Sequence, residues 1–117
     1  MRLRESIAQK KTFAFALEVI RLYCKLREQH EYVLSKQLLR SGTSIGANVE
    51  EALAGQSRND FLSKMAIASK EARETRYWLR LLQESELVNI DFSNELGKVN
   101  EIILLLTSIV KTTGEKR

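Results

Sequence analysis

Proline is absent from this sequence, and only five of its 117 residues are glycine. Both residue types interrupt helices, whereas Leu, Ala, Glu, Lys and Arg, which sustain helices, are abundant. A sheet connected by tight turns is therefore disfavoured, and uninterrupted helices are favoured. The length is that of one domain with a substantial core. We predict an all-α fold in which residues 1–117 form a single domain.

Cysteine and histidine each occur once. Cys24 cannot form an internal disulfide, and its place on an apolar helical face suits core filling in a reducing cytoplasm. His30 lies in a polar segment without neighbouring ligand residues, so we interpret it as a solvated loop residue. A single histidine excludes the paired Glu-x-x-His motifs of di-metal bundles. Gly-rich phosphate loops, Cys-x-x-Cys and a serine beside a base are also missing. The sequence predicts a protein that is not an enzyme, with no catalytic, metal-binding or cofactor-binding residues.

Long apolar runs are missing as well. The run Ile102–Leu106 is far too short to cross a bilayer, and the basic residues 1–5 precede no continuous apolar region of the signal-peptide type. We therefore expect a soluble, cytoplasmic protein without membrane contact. The net charge of +4 is compatible with nucleic-acid or acidic partners but indicates neither by itself.

Helical periodicity is the clearest signal in the sequence. The stretch Phe61–Glu86 carries apolar or small residues at alternating steps of four and three, which predicts a long core helix. Ser57, followed at the third position by Asp60, predicts the N-cap of this helix. The predicted buried seam consists of Phe61, Met65, Ala68, Ala72, Thr75, Leu79 and Leu82.

Three further helices are predicted around this one. Short connections force each helix to run beside its predecessor in the opposite direction, which predicts an antiparallel up-down-up-down four-helix bundle. Residues 112–117 are expected to fray into a polar tail. The four helices are predicted to span residues 6–27, 32–54, 57–85 and 92–112.

Residues at the predicted helix ends provide capping signals. Ser6 and Gln9 suggest a capping box for the first helix. Gly55 is predicted to end the second helix in a left-handed conformation. Asp91 or Ser93 is predicted to cap the last helix.

Apolar stripes predict which faces of the first and last helices are buried. The buried stripe of the first helix is predicted to contain Phe13, Leu17, Ile20 and Cys24, with Ala16 and Tyr23 at its flank. The last helix carries two adjacent seams, so we expect it to bury more than one edge. These seams are Phe92, Leu96, Val99, Ile103, Leu106 and Val110, and Ile102, Leu105 and Ile109.

The predicted second helix carries polar and glycine residues where a buried face is expected. Its heptad seam contains Ser41 and Asn48, and Gly42 and Gly46 lie on the seam beside it. Each glycine inside a helix costs about 1 kcal/mol relative to alanine. We therefore predict that a neighbouring helix backbone approaches closely at both glycines.

Two carboxylates of the third helix, Glu71 and Glu74, flank its apolar face. A carboxylate near a buried seam needs a hydrogen-bonding partner. We predict that Glu71 or Glu74 bonds to the second helix, with Asn48 as the first-choice partner, in a structural rather than catalytic pairing. Ser41 completes this set of structural polar residues.

The other side of the third helix carries a basic group. Arg73, Arg76 and Arg80 fall within about 60° of one another around the helix, with Tyr77 in the same sector. Arginines contact phosphates, and an interleaved aromatic ring can stack on a base. The same pattern is compatible with a solvated face whose charge is balanced by Glu84. We select Arg73, Arg76, Tyr77 and Arg80 as candidate nucleic-acid contacts. Further basic residues would extend the surface if they share its side: Arg2, Arg4, Lys10, Lys11, Arg21, Lys25 and Arg27.

Two blocks of the sequence are specific to a known family. Leu34–Ala52, with the sequence LSKQLLRSGTSIGANVEEA, and Phe61–Leu82, which contains KEARETRYWL, resemble the bacterial four-helix-bundle proteins encoded in intervening sequences of 23S ribosomal RNA genes. The resemblance extends from Phe13 to about Val110. It implies a homopentamer in the bacterial cytoplasm and no catalytic residues. This family also resembles accessory proteins of diversity-generating retroelements, whose pentameric bundles engage nucleic acid and a reverse transcriptase through basic surfaces.

Two functions from different classes follow from the residues and the resemblance. The first is an oligomeric, non-enzymatic bundle that binds RNA or DNA through clustered arginines and lysines, because repetition around a ring multiplies weak phosphate contacts. The second is a protein-protein interaction scaffold that does not bind nucleic acid directly. Reversal of the arginine charges distinguishes them, since only the first function depends on those charges.

Overall fold

The computed structural model describes residues 2–115, which form four antiparallel helices. They are α1 (Leu3–Glu28), α2 (Leu34–Leu53), α3 (Arg58–Ser85) and α4 (Ser93–Glu115). Each helix packs against its neighbours in sequence, and α4 packs back on α1, which leaves α1 diagonal to α3. The bundle measures 47 × 20 × 20 Å. The predicted up-down-up-down four-helix bundle is confirmed, and no strand occurs in the part of the chain that the structure describes.

The start of α1 differs from the prediction. The helix begins at Leu3, and the backbone amide of Ser6 donates to the carbonyl of Arg2, so Ser6 lies inside the first turn. The predicted capping box of Ser6 and Gln9 is therefore wrong. The side chain of Gln9 instead donates to the carboxylate of Glu50 on α2 at 3.1 Å.

The end of α4 also differs from the prediction. We predicted that the chain frays from Thr112 onward, but the helix continues to Glu115, so this prediction is wrong for residues 112–115. Arg58 at the beginning of α3 donates to the carbonyl of Thr113 and so satisfies an acceptor in the last turn of α4. The remaining residues of the predicted tail, 116–117, lie outside the described part of the chain.

Side-chain oxygens cap the beginnings of three helices. Ser57 accepts the backbone amide of Asp60 at 3.0 Å, as predicted for α3. Ahead of α4, Asp91 accepts the amide of Ser93 at 3.0 Å, which is one of the two predicted capping residues. The carboxylate of Glu31, which the sequence analysis did not single out, accepts three amides at the start of α2 at 2.6–3.2 Å. These bonds satisfy donors that have no partner within the helix.

Gly55 does not have the predicted left-handed conformation. Its φ is not positive, and its amide donates to the carbonyl of Ala52 at 3.1 Å in a tight right-handed turn. A Cβ atom at this position would lie 3.1 Å from the same carbonyl oxygen, a tight contact that glycine avoids. The left-handed residues are His30, with φ 64°, and Glu86, with φ 56°, which follow α1 and α3.

The predicted seams of α3 and α4 are confirmed as the centre of the core. Phe61, Leu96, Leu105 and Val110 are half-buried and pack against its margin. The broad apolar surface of α4 thus buries more than one edge, as expected. The buried members of the three seams are Met65, Ala68, Ala72, Thr75, Leu79, Leu82, Phe92, Val99, Ile102, Ile103, Leu106 and Ile109.

The buried face of α1 is not the predicted one. Phe13 is 62% exposed, Leu17, Ile20 and Cys24 are also exposed, and Ala16 is half-buried. We call Phe13, Leu17, Ile20 and Cys24 the α1 stripe. The residues that enter the core are instead Ala8, Thr12, Phe15, Val19, Leu22 and Leu26.

The approach of a neighbouring backbone that was predicted at both glycines of α2 is confirmed at Gly46, whereas at Gly42 the neighbour is the side chain of Val19. A Cβ atom at Gly42 would lie 2.7 Å from Cγ1 of Val19, and one at Gly46 would lie 3.2 Å from the backbone carbonyl oxygen of Thr12. Val19 and Thr12 therefore occupy space that exists only because α2 has no side chain at these positions. This packing turns the α1 stripe outward.

We expect Gly42→Ala to destabilise the bundle, although alanine is the better helix former. The added methyl meets the stiff, branched side chain of Val19, and overpacking of this kind typically costs about 1–3 kcal/mol. Gly97→Ala is the matched control, because no atom lies within 4 Å of a Cβ at that helical position. This control should gain up to about 1 kcal/mol from helix propensity.

Urea denaturation followed by circular dichroism measures both changes. The double variant Gly42→Ala, Val19→Ala should lose less free energy of unfolding than the sum of the losses in the two single variants, because the shortened side chain leaves room for the added methyl. Equal stabilisation by Gly42→Ala and Gly97→Ala would show that α1 and α2 do not approach closely at this point.

Candidate nucleic-acid interface and the polar cluster beside it

The four candidate nucleic-acid contacts, Arg73, Arg76, Tyr77 and Arg80, lie along the side of α3 that turns toward α4 and solvent, and we call them the α3 strip. Arg73, Tyr77 and Arg80 are exposed, and Arg76 is half-buried. Of the four, Arg73 and Arg76 contact α4 through their guanidinium groups.

The hydrogen-bond partners of the arginines determine the charge of this surface. Nη2 of Arg73 donates to Oγ1 of Thr107 at 3.2 Å, and Nη1 of Arg76 donates to Oδ1 of Asn100 at 3.1 Å. Both acceptors belong to α4 and are neutral. Among residues 2–115, no carboxylate oxygen lies within the 4.0 Å ion-pair distance of either guanidinium. The two guanidinium groups are thus held in place while their charges stay available.

Arg80 differs from the other two arginines. Its Nε lies 3.4 Å from a carboxylate oxygen of Glu84, one helical turn further on, in an exposed pair. An exposed pair of this kind contributes about 0.3–0.5 kcal/mol and is readily exchanged for another anion. The balancing role that the sequence suggested for Glu84 therefore applies to Arg80 and not to Arg73 or Arg76.

Basic residues of α1 do not join the α3 strip, because α1 and α3 are diagonal in the bundle. Arg4 donates to Ser108 of α4 at 2.5 Å, and Lys11 pairs with Glu101 of α4 at 3.5 Å. These contacts are directed to the edge of α4 that faces α1. The structure therefore does not bring this part of the proposed extension beside the strip.

On its opposite side, toward α2, α3 carries a cluster of polar residues. Arg40 of α2 donates to Glu71 at 3.3 Å and also to Glu74, so one guanidinium joins both carboxylates. The indole N–H of Trp78 donates to the same oxygen of Glu74 at 3.0 Å. We call Arg40, Glu71, Glu74 and Trp78 the α2–α3 cluster. The predicted bonding of the two carboxylates to the second helix is confirmed.

The prediction that Asn48 is the partner of those carboxylates is wrong. Asn48 donates its side-chain amide to the carbonyl of Ser44 in its own helix at 2.9 Å. Periodicity places Asn48 on the correct side of α2, but Arg40 has the longer side chain and the opposite charge. The signal that identifies Arg40 is chemical: a planar guanidinium can bond two carboxylates that are three residues apart on a facing helix.

The α2–α3 cluster changes the ionisation of its members. The N–H of Trp78 and the guanidinium of Arg40 both donate to Glu74 and lower the pKa of its carboxyl below the usual value. The hydrogen bond to Glu74 also raises the pKa of Arg40 above its ordinary value. The cluster therefore links α2 to α3 through one guanidinium shared by two carboxylates, and its net charge of −1 contrasts with the positive α3 strip on the same helix.

A second polar contact joins α2 and α3 inside the core. The hydroxyl oxygens of Ser41 and Thr75, both fully buried, lie 2.9 Å apart, and Oγ1 of Thr75 lies 2.8 Å from the carbonyl oxygen of Glu71. Each hydroxyl has one proton, so Thr75 can donate to the carbonyl while Ser41 donates to Thr75. Ser41 thus has the structural role that the sequence predicted.

The single cysteine and histidine have no site around them. Cys24 is exposed, so its predicted role in core filling is wrong. His30 follows α1 in the loop, and its Nδ1 lies 2.9 Å from the hydroxyl of Tyr32. Within residues 2–115, no group of three or more His, Cys, Asp or Glu side chains is placed to hold a metal ion. None of the four described helices is both long and apolar enough to span a membrane.

We expect the α2–α3 cluster to make stability depend on pH. Because the pKa of Glu74 is lower in the folded chain, the folded state binds fewer protons there. The resulting stabilisation is complete above the ordinary carboxyl pKa and is lost as pH falls through the lowered value. Glu74→Gln should therefore reduce the loss of unfolding free energy between pH 7 and pH 2, by less than about 1 kcal/mol because the cluster is partly exposed.

Urea denaturation at a series of pH values, followed by the fluorescence of Trp78, measures this dependence. Glu84→Gln removes a carboxylate from an exposed pair on the same helix and serves as the control. This replacement should change the pH profile less than Glu74→Gln does, because the exposed pair that it removes contributes only about 0.3–0.5 kcal/mol. Identical profiles for Glu74→Gln and the unchanged chain would contradict the role assigned to Glu74.

Comparison with known proteins gives a consistent family assignment. A sequence profile of the family described as 23S rRNA-intervening sequence protein matches residues 4–108. The crystal structure of a protein of unknown function from the S23 ribosomal protein family of Bacteroides thetaiotaomicron VPI-5482 is 46% identical, with a TM-score of 0.89, over 93% of this chain and 99% of that chain. Comparison with curated proteins gives no match. Since the profile covers most of the chain, this protein belongs to the 23S rRNA-intervening sequence protein family.

Proposed function

We propose that this chain is a non-enzymatic, oligomeric four-helix bundle that binds nucleic acid, RNA or DNA, through the α3 strip in the cytoplasm of a bacterium. The observation that carries the proposal is the bonding of Arg73 and Arg76 to neutral oxygens of α4. These contacts hold the guanidinium groups without neutralising them. A phosphate group can therefore bind without first displacing a carboxylate.

The strip of one protomer is too small for strong binding. Each phosphate contact adds a modest, salt-dependent increment, and the net charge of the chain is only +4. Several copies in one assembly would present several strips to the same nucleic acid, which raises the overall affinity without new contacts. Oligomerisation is therefore part of the proposed function.

The α1 stripe supports self-association. Phe13, Leu17 and Ile20 recur at helical spacing and leave an apolar surface exposed on one side of α1. We propose that a second copy of the chain covers the stripe, and that the assembly is the homopentamer implied by the family resemblance. A ring of this kind requires contact between two different surfaces of neighbouring subunits.

The same stripe favours the alternative function, a scaffold that holds another protein and does not contact nucleic acid directly. In that case the arginines of the α3 strip form a solvated surface, and the apolar side chains of α1 carry the activity. The two functions predict opposite results for charge reversal in the strip.

We expect the unchanged protein to shift an RNA that contains both a hairpin stem and single-stranded arms, with affinity that falls steeply as salt is raised. The combined change Arg73→Glu, Arg76→Glu and Arg80→Glu should reduce affinity at low salt by about 100-fold or more. It should also reduce the slope of log affinity against log salt by about 2 for each strip that contacts the RNA, since each lost single-strand phosphate contact removes about 0.7.

The matched control carries the same change of charge elsewhere on the bundle. Lys11, Lys25 and Lys36 are exposed residues of α1 and α2 outside the α1 stripe, and we expect their combined replacement by Glu to change RNA affinity much less. Equal losses for both triple variants would indicate binding by net charge alone. Unchanged affinity in the α3 variant, or no RNA shift with the oligomer intact, would favour the scaffold.

We expect Leu17→Glu to lower the molecular mass of the assembly, measured by light scattering during size-exclusion chromatography. A carboxylate in the middle of the α1 stripe would be buried without a partner in the subunit contact. Leu104→Glu is the control, because Leu104 is 73% exposed on α4, away from the stripe. Dissociation by Leu104→Glu together with an intact Leu17→Glu oligomer would assign the contact to α4 instead.

A further inference from the structure

We propose that the exposed ring of Tyr77 is a stacking platform for an unpaired base, so that the α3 strip takes single-stranded nucleic acid in preference to a duplex. This inference rests on the nucleic-acid function proposed above and specifies its ligand. It depends on how Tyr77 is supported and on which charges surround it.

Tyr77 is both exposed and supported from behind. The side chain is 55% exposed, and its ring makes an edge-to-face contact with the ring of Trp78, with centroids 5.1 Å apart and an interplanar angle of 69°. Trp78 is half-buried against the core and bonded to Glu74, which is paired with Arg40 of α2. The α2–α3 cluster therefore fixes the indole that supports Tyr77. A ring held in this way loses little conformational entropy when a base stacks on it.

Cations flank the ring along the helix. Arg73 lies four residues before Tyr77 and Arg80 lies three residues after it, so both are its neighbours on the helix surface. The two arginines are about 10.5 Å apart along the helix axis, at 1.5 Å per residue. A strand that places one base on Tyr77 can therefore present its phosphates to a guanidinium on each side of the ring.

A duplex cannot use this arrangement fully. Its bases are stacked on one another, and a tyrosine ring can cover a base face only where a base is unpaired or at an end. A duplex would contact the arginines through its phosphates and leave Tyr77 without a partner. Stacking on an aromatic ring tolerates any base. The side-chain oxygen of Asn100, which could otherwise read a base edge, already accepts a hydrogen bond from Arg76. Weak sequence preference is therefore expected.

The chain provides its own probe for this event. Trp78 is the single tryptophan and contacts Tyr77 directly, so its fluorescence reports on the ring. The experiment titrates the full-length protein with a 15-nucleotide RNA that lacks self-complementarity, and separately with the same RNA annealed to its complement. We expect the single strand to change Trp78 fluorescence and to bind at least about 10-fold more tightly than the duplex at the same salt concentration.

Variants at Tyr77 separate stacking from charge. Tyr77→Leu should reduce single-strand affinity by about 5- to 150-fold, the usual range for one stacked base, and leave duplex affinity unchanged. Tyr77→Phe keeps the ring and should bind like the unchanged protein. Tyr32→Leu is the matched control: Tyr32 is also exposed and has the Arg27 guanidinium 5.1 Å from its ring centroid, but it lies in the loop before α2. Its replacement should not change affinity.

The outcomes distinguish this inference from the function on which it rests. If Tyr77→Leu binds the single strand as tightly as the unchanged protein, while reversal of the three arginines abolishes binding, stacking is refuted and nucleic-acid binding stands. Equal affinity for single strand and duplex refutes it in the same way. If neither RNA binds at low salt, both proposals fail. Thermal melting of Tyr77→Leu and Tyr77→Phe checks that both variants are folded.

Discussion

The close approach of α1 to α2 at Gly42 and Gly46 is the constraint on which the outer surface of this bundle depends. Val19 occupies the space that a side chain at Gly42 would fill, and a Cβ atom at Gly46 would lie only 3.2 Å from the backbone carbonyl oxygen of Thr12. Two helices that meet this closely cannot rotate independently. The rotation of α1 is thereby set, and with it the outward direction of the α1 stripe. A packing detail in the core thus determines which apolar side chains remain for contacts between molecules.

The surface of α3 has three sectors with different roles. One sector is the buried seam that contacts its neighbours in the bundle. A second, toward α2, carries two carboxylates, of which both pair with Arg40 and one also accepts from Trp78. The third, toward α4, carries arginines whose acceptors there are neutral oxygens of Thr107 and Asn100. Charges of opposite sign therefore lie on two sides of one helix: the side toward α2 keeps a net charge of −1, and Arg73 and Arg76 on the other side have no carboxylate partner among residues 2–115.

The aromatic pair connects these two flanks. Trp78 belongs to the side that carries the carboxylates, through its bond to Glu74, and the ring of Tyr77 among the arginines contacts the indole. The polar cluster between α2 and α3 is thus more than a bond between helices, because it also determines how rigidly an exposed ring is held beside the arginines. Stability and the proposed binding activity share the same residues at this point.

The sequence by itself determined the all-α class, the order of the helices, the core seams of α3 and α4, the Ser57 cap and the need for close approach at two glycines. In each case local periodicity or backbone chemistry allows one solution, since α3 has a single heptad seam and a helical glycine has no side chain to pack. Only the tertiary structure decided the buried face of α1 and the partner of Glu71 and Glu74. The first helix has two apolar faces, one through Phe13 and Leu17 and one through Phe15 and Val19, and hydrophobicity does not distinguish them. The missing side chains at Gly42 and Gly46 of α2 select the face through Phe15 and Val19. The length and charge of Arg40 select it over Asn48 as the partner of the carboxylates. Both choices depend on which atoms of a neighbouring helix lie opposite, and the sequence of one helix does not contain that information.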